Sequence, residues 1–261
     1  MSADRTVALI SGGTGVIGNA IAKELAATPG YEVVLLARDH DRAEQTADEI
    51  RRATGNDNVR FVLADVSRHH SVLAAANDWQ GPLHVLVNNA GIAPRSRETT
   101  PEGIELTFAT NVLGYLWVTD AFAPHLKKSA PARVVNVASH YAGDLDLEDL
   151  EFKHRRFDNQ TAYRQSKQAN RMLTVMQAEE LAEAGISVNA CHPGNPSSVL
   201  SRSLGFGGCH RQVLEVTLLA PVGRQRSQNL LKSLGIRNCI SRDRLVRGDL
   251  DQVAHDGLIG L

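Results

Sequence analysis

Short, almost purely apolar runs alternate with longer amphipathic stretches along most of this chain. The runs at 7–10, 32–37, 59–64, 83–87, 133–138 and 187–191 read as strands. Several, such as Val7-Ala-Leu-Ile10 and Val33-Val-Leu-Leu36, have no polar side to turn toward water. A strand that is apolar on both faces must be covered on both faces, which is the condition of a central strand in a parallel sheet. The stretches between them, 16–27, 41–53, 67–78, 101–128 and 161–184, have helical character. This βαβα order predicts an α/β protein whose doubly wound parallel sheet carries helices on both sides, in three layers. At 261 residues the chain is near the upper size for one hydrophobic core, so a single domain is expected. Its core is expected at 1–195, with an atypical segment at 196–261 capping the substrate site. In that segment the strand–helix rhythm fades and arginines accumulate, and only 212–220 and 245–254 look helical.

The first strand runs straight into Ser11-Gly-Gly-Thr-Gly-Val-Ile-Gly18, which can be read as GxGxxG, as GxxGxxG, or as an imperfect TGxxxGxG with Val16 in place of a glycine. A strand, a glycine-rich turn and an amphipathic helix in succession make the Rossmann-type geometry, in which N–H groups at the helix N-terminus meet a pyrophosphate. Gly12, Gly13, Thr14, Gly15, Val16, Ile17 and Gly18 are therefore candidate cofactor-binding residues. At the end of the second strand an acid would hold the ribose 2′-OH of NAD, and an arginine would suit the 2′-phosphate of NADP. Ala37 occupies the acid's place and Arg38 follows it, which favours NADP(H) over NAD(H). The alternative leaves Arg38 in solvent and makes Asp39 the ribose ligand. Asp65 and Val66 end the third strand where an adenine edge would lie, and Asn88-Asn89-Ala90-Gly91 follows the fourth.

Tyr163 and Lys167 are four apart in a predicted helix and so share one face. A free phenol has a pKa of about 10, and a neighbouring ammonium favours the phenolate and brings it toward catalytic range. Ser139 closes a predicted strand at the carboxyl edge of the sheet. Asn111 is a polar residue in an apolar helix and needs partners, which a water bridge toward Lys167 would supply. His140 and Tyr141, just after Ser139, are candidates to line a substrate cleft. Arg155 and Arg156 are expected at the surface.

Taken in order, the glycine loop, Asn88-Asn-Ala-Gly91, Asn111, Ser139 and Tyr163-xxx-Lys167 resemble the short-chain dehydrogenase/reductase family over roughly residues 5–195. The long interval between Ser139 and Tyr163, the stretch Tyr163-Arg-Gln-Ser-Lys-Gln-Ala-Asn170 and Cys191-His-Pro-Gly194 are similar to its retinol-dehydrogenase-like and carbonyl-reductase-like branch. The resemblance implies that Tyr163 is the general acid or base and that Lys167 lowers its pKa and binds the nicotinamide ribose. It implies that Ser139 polarises the substrate carbonyl and that Asn111 anchors a proton-relay water. It also implies that Asn89, Ala90, Gly91, Pro193, Gly194 and Ser198 contact the cofactor. Pro196 stands where the family offers a backbone N–H to the nicotinamide carboxamide, and proline has none.

These features predict an NADP(H)-dependent ketoreductase or alcohol dehydrogenase for a small apolar carbonyl or alcohol, with a secondary-metabolite ketone, an aromatic polyketide and a terpenoid- or retinoid-like compound as the candidate substrates. Two rivals stay open: a cofactor-binding sensor that has lost turnover, suggested by Pro196, and an epimerase or dehydratase, suggested by the GxxGxxG register. The formal net charge of −1 argues against a nucleic-acid partner. The absence of a signal peptide or of a run long enough to span a bilayer implies a cytoplasmic location. The 3 cysteines are scattered, and no His or Cys spacing suggests a metal site. The apolar faces of 101–128 and 161–184 allow a homodimer.

Overall fold

The computed structural model describes residues 5–194, Leu200, Ser203 and Leu204. The helices expected at 212–220 and 245–254, and the roles expected of Pro196 and Ser198, lie outside them. Among the described residues the strands are β1 (Thr6–Ser11), β2 (Tyr31–Ala37), β3 (Val59–Leu63), β4 (Val85–Asn88), β5 (Ala132–Val137) and β6 (Ile186–Cys191). They form one sheet in the order β3-β2-β1-β4-β5-β6, and every pairing is parallel. The order reverses between β1 and β4, which opens a crevice at their carboxyl ends.

The apolar strands fill both faces. In β2, Val33 and Leu35 pack with Ala22 and Ala26 of α1 (Val16–Ala27) and with Ala47 and Ile50 of α2 (His40–Thr54). Val34 and Leu36 face the opposite layer, made by α3 (His69–Asn77), α5 (Gly114–Lys128) and α6 (Asn159–Leu181), through Val72, Phe122, Leu126 and Leu181. Phe122 and Leu126 are fully buried, and each such side chain contributes about 2 kcal/mol. The expected three-layer Rossmann-type architecture is therefore the observed one.

Helix boundaries depart from the periodicity where side chains cap the backbone. The stretch expected as one helix over 101–128 is a turn through Gly103, then α4 (Leu106–Phe108), a π-helical turn (Ala109–Leu113) and α5. Glu105 caps α4, its carboxylate accepting from Thr107 N at 2.8 Å and Phe108 N at 2.7 Å. The helix expected from residue 67 begins at His69, because Ser67 donates from N and Oγ to Asp65 Oδ1 and makes a turn instead. The helix expected from 161 begins at Asn159, because Asp158 accepts from Thr161 N at 2.8 Å and acts as N-cap.

One polar ladder crosses the interior of the second layer. Asn88 Nδ2 donates to Thr119 Oγ1 and to Asn136 Oδ1, both at 2.9 Å. Asn136 Nδ2 donates onward to Thr174 Oγ1 at 3.0 Å and Gln177 Oε1 at 2.9 Å. All five residues are buried, so the ladder ties α5, β4, β5 and α6 together where water cannot substitute. Asn136→Ala strips partners from Asn88, Thr174 and Gln177. With about 1–3 kcal/mol lost for each orphaned buried group that cannot relax, a net destabilisation of about 3 kcal/mol is expected in urea denaturation. A loss under about 0.5 kcal/mol would contradict this account.

Candidate active site

The glycine loop is held from two sides, by the end of β2 and by the turn after β4. Gly12 N donates to Leu36 O at 3.0 Å, Asn89 Nδ2 donates to Ser11 O at 2.9 Å, and Ser11 Oγ accepts from Asn89 N at 2.9 Å and Ala90 N at 3.1 Å. Gly12 has φ +65°, and a Cβ there would stand 2.9 Å from Ala90 Cα. At Gly18 a Cβ would collide with the Gly12 carbonyl oxygen and stand 2.7 Å from Asn89 Nδ2. Gly12 and Gly18 are thus required by close packing of loop, helix and the Asn88–Gly91 turn. Gly15 is the N-cap of α1 with no side-chain cap, and Val16 beside it is 41% exposed. An uncapped helix start at the sheet's carboxyl edge fits the anionic pyrophosphate of a dinucleotide. Asn89 serves here through its side chain, as a brace of the loop.

At the end of β2, Arg38 is exposed, and Asp39 caps α2 by accepting from Arg42 N at 2.9 Å. Arg42 Nη2 donates to the Thr14 carbonyl at 3.0 Å, tying the first turn of α2 to the glycine loop. At the end of β3, Asp65 Oδ1 is engaged by Ser67. Val66 is buried, and its carbonyl lies 2.9 Å from where a Cβ on Gly114 would be.

Asn111, Tyr163 and Lys167 converge from two helices on the same crevice. Tyr163 is buried, and desolvation pushes its phenol up to about 12, against a smaller downward pull from a hydrogen bond with Ser139. Lys167 is buried too, and desolvation brings its ammonium down to about 7. Its Nζ donates to Val137 O at 2.7 Å and to Tyr115 Oη at 3.3 Å, and lies 5.8 Å from the Tyr163 ring centroid. The expectation that Lys167 draws the phenol pKa down is not met in the protein alone. Burial acts on both groups, raising the acid and weakening the neighbouring cation.

Asn111 sits in the π-helical turn and is fully buried. Its Oδ1 accepts from Ile92 N at 2.9 Å, and its Nδ2 donates to Ile92 O at 3.0 Å and Ser166 Oγ at 3.1 Å. These protein partners satisfy it directly, so its burial alone requires no water bridge. A Cβ on Gly91 would stand 3.6 Å from Asn111 Oδ1 and 3.8 Å from Lys167 Nζ, so the turn after β4 lies against both side chains.

Tyr163 belongs to an apolar cluster with Ala93 and Leu204, against which Tyr141 and Leu200 pack. Tyr141 N donates to Ser139 Oγ at 3.0 Å, and Tyr141 Oη donates to Gln160 Oε1 at 3.3 Å. Gln160 Nε2 donates to Leu204 O at 3.1 Å and Asn159 Nδ2 to Ser203 O at 3.0 Å. Of the two residues after Ser139, then, Tyr141 joins the wall around Tyr163. His140 is exposed and meets the His192 ring edge-on, with centroids 5.3 Å apart. Gly194 N donates to His192 Nδ1 at 3.3 Å, which places Pro193 and Gly194 beyond β6 at the same edge of the sheet.

Sequence reasoning missed Arg42, Asn159, Gln160 and the structural part played by Arg155. Arg155 is half-buried rather than a plain surface residue: it donates to Gln165 Oε1 at 2.8 Å and stacks 4.2 Å from the Phe152 centroid. The signal for Arg42 was present, a second arginine one helical turn past Arg38.

Comparison with known proteins agrees with this geometry. A sequence model of the short chain dehydrogenase family matches residues 6–205. Retinol dehydrogenase 13 of Homo sapiens is 34% identical over 223 residues, covering 84% of this chain and 66% of that protein. The chain thus spans a little under two thirds of that relative's length. A putative uncharacterized protein from Mycobacterium Paratuberculosis superposes with a TM-score of 0.68 at 30% identity, covering 90% of this chain and 91% of the other. The 3-ketoacyl-(acyl-carrier-protein) reductase from Brucella melitensis, complexed with NADH, superposes with a TM-score of 0.60 at 31% identity over 76% of this chain and 78% of its own. The chain belongs to the short-chain dehydrogenase/reductase family. Within it, the chain falls on the retinol-dehydrogenase-like branch. No helix among the described residues is long and apolar enough to cross a membrane.

The buried lysine sets a pH dependence of folding. The unfolded chain keeps Lys167 protonated up to its ordinary value of 10.5, whereas the folded chain releases that proton near 7. Between these values unfolding takes up a proton, so raising the pH favours the folded state. Stability from urea denaturation is expected to rise by a few kcal/mol between about pH 7 and 10 through this group. In Lys167→Met that part of the rise is lost; parallel pH profiles for the two proteins would contradict it.

Proposed function

We propose that this chain is an oxidoreductase that transfers hydride between NADP(H) and an apolar carbonyl or alcohol. The observation that carries this reading is the meeting of Ser139, Tyr163 and Lys167 in a desolvated crevice beside the glycine loop. When bound, the nicotinamide supplies or accepts the hydride. In the reducing direction the phenol of Tyr163, protonated at neutral pH, gives its proton to the substrate oxygen, and the hydroxyl of Ser139 donates a hydrogen bond to the same atom. Lys167 stabilises the phenolate left behind and presents to the nicotinamide ribose the one N–H not held by Val137 O and Tyr115 Oη. Asn111, locked to Ile92 and Ser166, holds the floor of the crevice and is the anchor for a relay water.

Arg38 supports NADP(H): it is exposed at the end of β2, and Asp39 beside it is engaged in capping α2. The wall of Ala93, Tyr141, Leu200 and Leu204 supports an apolar substrate. With a retinol dehydrogenase among the relatives, a retinoid-like alcohol or aldehyde is the first substrate class to assay.

Tyr163→Phe is expected to lower kcat by about a thousandfold while NADP+ affinity by titration calorimetry stays within about twofold; near-normal turnover would overturn the assignment. Arg38→Asp is expected to shift the NADP/NAD ratio of kcat/KM toward NAD by about tenfold or more. An unchanged ratio would remove Arg38 from cofactor selection.

A further inference from the structure

The loop after β5 is tied to α6 by a guanidinium that the mechanism above does not use. Arg164 follows Tyr163 on α6 and is half-buried. Its Nη1 lies 2.7 Å from Asp144 Oδ2. Its guanidinium carbon stands 5.1 Å from the centroid of the Tyr141 ring, within range of a cation–π contact. A Cβ on Gly143 would come within 3.1 Å of Arg164 Nη2, so the backbone there lies against the guanidinium. Gly143 N donates to the Arg164 carbonyl at 3.2 Å. Asp144 holds φ +53°, a left-handed conformation that aspartate tolerates better than most residues but that still needs support. One side chain thus meets the loop at Tyr141, Gly143 and Asp144.

The same loop sets the hydroxyl of Ser139. Tyr141 N donates to Ser139 Oγ at 3.0 Å. A serine hydroxyl gives one proton and accepts through its lone pairs. With the Tyr141 N–H on a lone pair, the proton points away from that amide and is left for the Tyr163 side of the crevice, where Ser139 makes its hydrogen bond. If Tyr141 swung out, the hydroxyl would lose this orientation. The Tyr141 ring is held at its tip by Gln160 Oε1, 3.3 Å from Oη, and on its face by Arg164.

We propose that Arg164 is a positioning residue of the reaction: it clamps the loop after β5 onto α6 and, through Tyr141, aims the Ser139 hydroxyl at the substrate oxygen. This rests on the oxidoreductase reading above. A residue that acts through Ser139 affects the hydride-transfer step, where a hydrogen bond to the developing oxyanion counts. A residue that only shaped the apolar wall through the Tyr141 ring would act on KM.

The test has one arm without turnover and one with it, both on the whole chain. In amide hydrogen exchange, Arg164→Met is expected to speed exchange at Tyr141 and Gly143 by about tenfold, with the Lys167 amide in α6 unchanged. The kinetic arm uses NADPH and the fastest-reduced member of a panel of all-trans-retinal and aliphatic and aromatic ketones. Arg164→Met is expected to slow single-turnover NADPH oxidation at saturating carbonyl by about tenfold, with KM for the carbonyl and Kd for NADPH within about twofold. Arg164→Lys keeps the cation and is expected to restore most of both. Asp144→Asn removes the pairing charge while asparagine still tolerates the positive φ, and is expected to slow the step by about threefold. Asp144 is exposed, so this variant carries the test even where Arg164→Met lowers the thermal midpoint. Unchanged exchange at Tyr141, an unchanged single-turnover rate, or a rise in KM alone overturns the proposal while the oxidoreductase reading stands. A wild-type protein that reduces no member of the panel overturns that reading and the proposal with it.

Discussion

The buried ladder from Thr119 through Asn88 and Asn136 to Thr174 and Gln177 is the interaction on which the site's geometry rests. Apolar packing presses α5 and α6 onto the sheet but does not set their sliding or rotation, because hydrophobic contact has no direction. Hydrogen bonds do have direction, and where water is excluded an unmade bond is costly. The ladder therefore selects one register of each helix against β4 and β5. Three residues of the site take their places from that register: Asn111 precedes α5 in the same helical run, and Tyr163 and Lys167 lie on α6.

The same burial that makes the ladder effective governs the ionisable groups. Tyr163 and Lys167 are pushed in opposite directions, the phenol up and the ammonium down. Both shifts favour the neutral form, as a low dielectric requires. A pair poised this way keeps the phenolic proton at neutral pH. Lys167 is left near the midpoint of its titration, with Val137 O and Tyr115 Oη holding its Nζ. The π-helical turn that contains Asn111 belongs to the same design. An inserted residue in a helix is tolerated where a side chain is needed at a fixed point, here against the backbone of Ile92.

Much of this was legible in the residues. The strands were marked by apolar runs, and α1 and α2 by amphipathic spacing after the glycine loop and after Arg38. Ser139, Tyr163 and Lys167 were recognisable by their order and spacing. The helix starts were harder to place, because Glu105, Asp65 and Asp158 each act through a pair of local hydrogen bonds that hydrophobic periodicity does not register. The expectation of a lowered Tyr163 pKa weighed the neighbouring charge and left out desolvation, which acts through the packed surroundings. Arg155 was misread as a surface residue because its partners, Phe152 and Gln165, are brought to it by the folding of the loop before α6.

The sequence by itself determined the alternation of strands and helices, the place of the glycine loop and the chemical identity of the Ser–Tyr–Lys set. Those depend on local patterns: periodicity, small residues where the backbone turns, and a four-residue spacing on one helix. Only the tertiary structure decided which glycines are sterically required, who satisfies Asn111, which way burial moves Tyr163 and Lys167, and that Arg42 reaches Thr14. Each of these depends on groups far apart in the chain, and on water excluded only once the sheet and helices have closed around them.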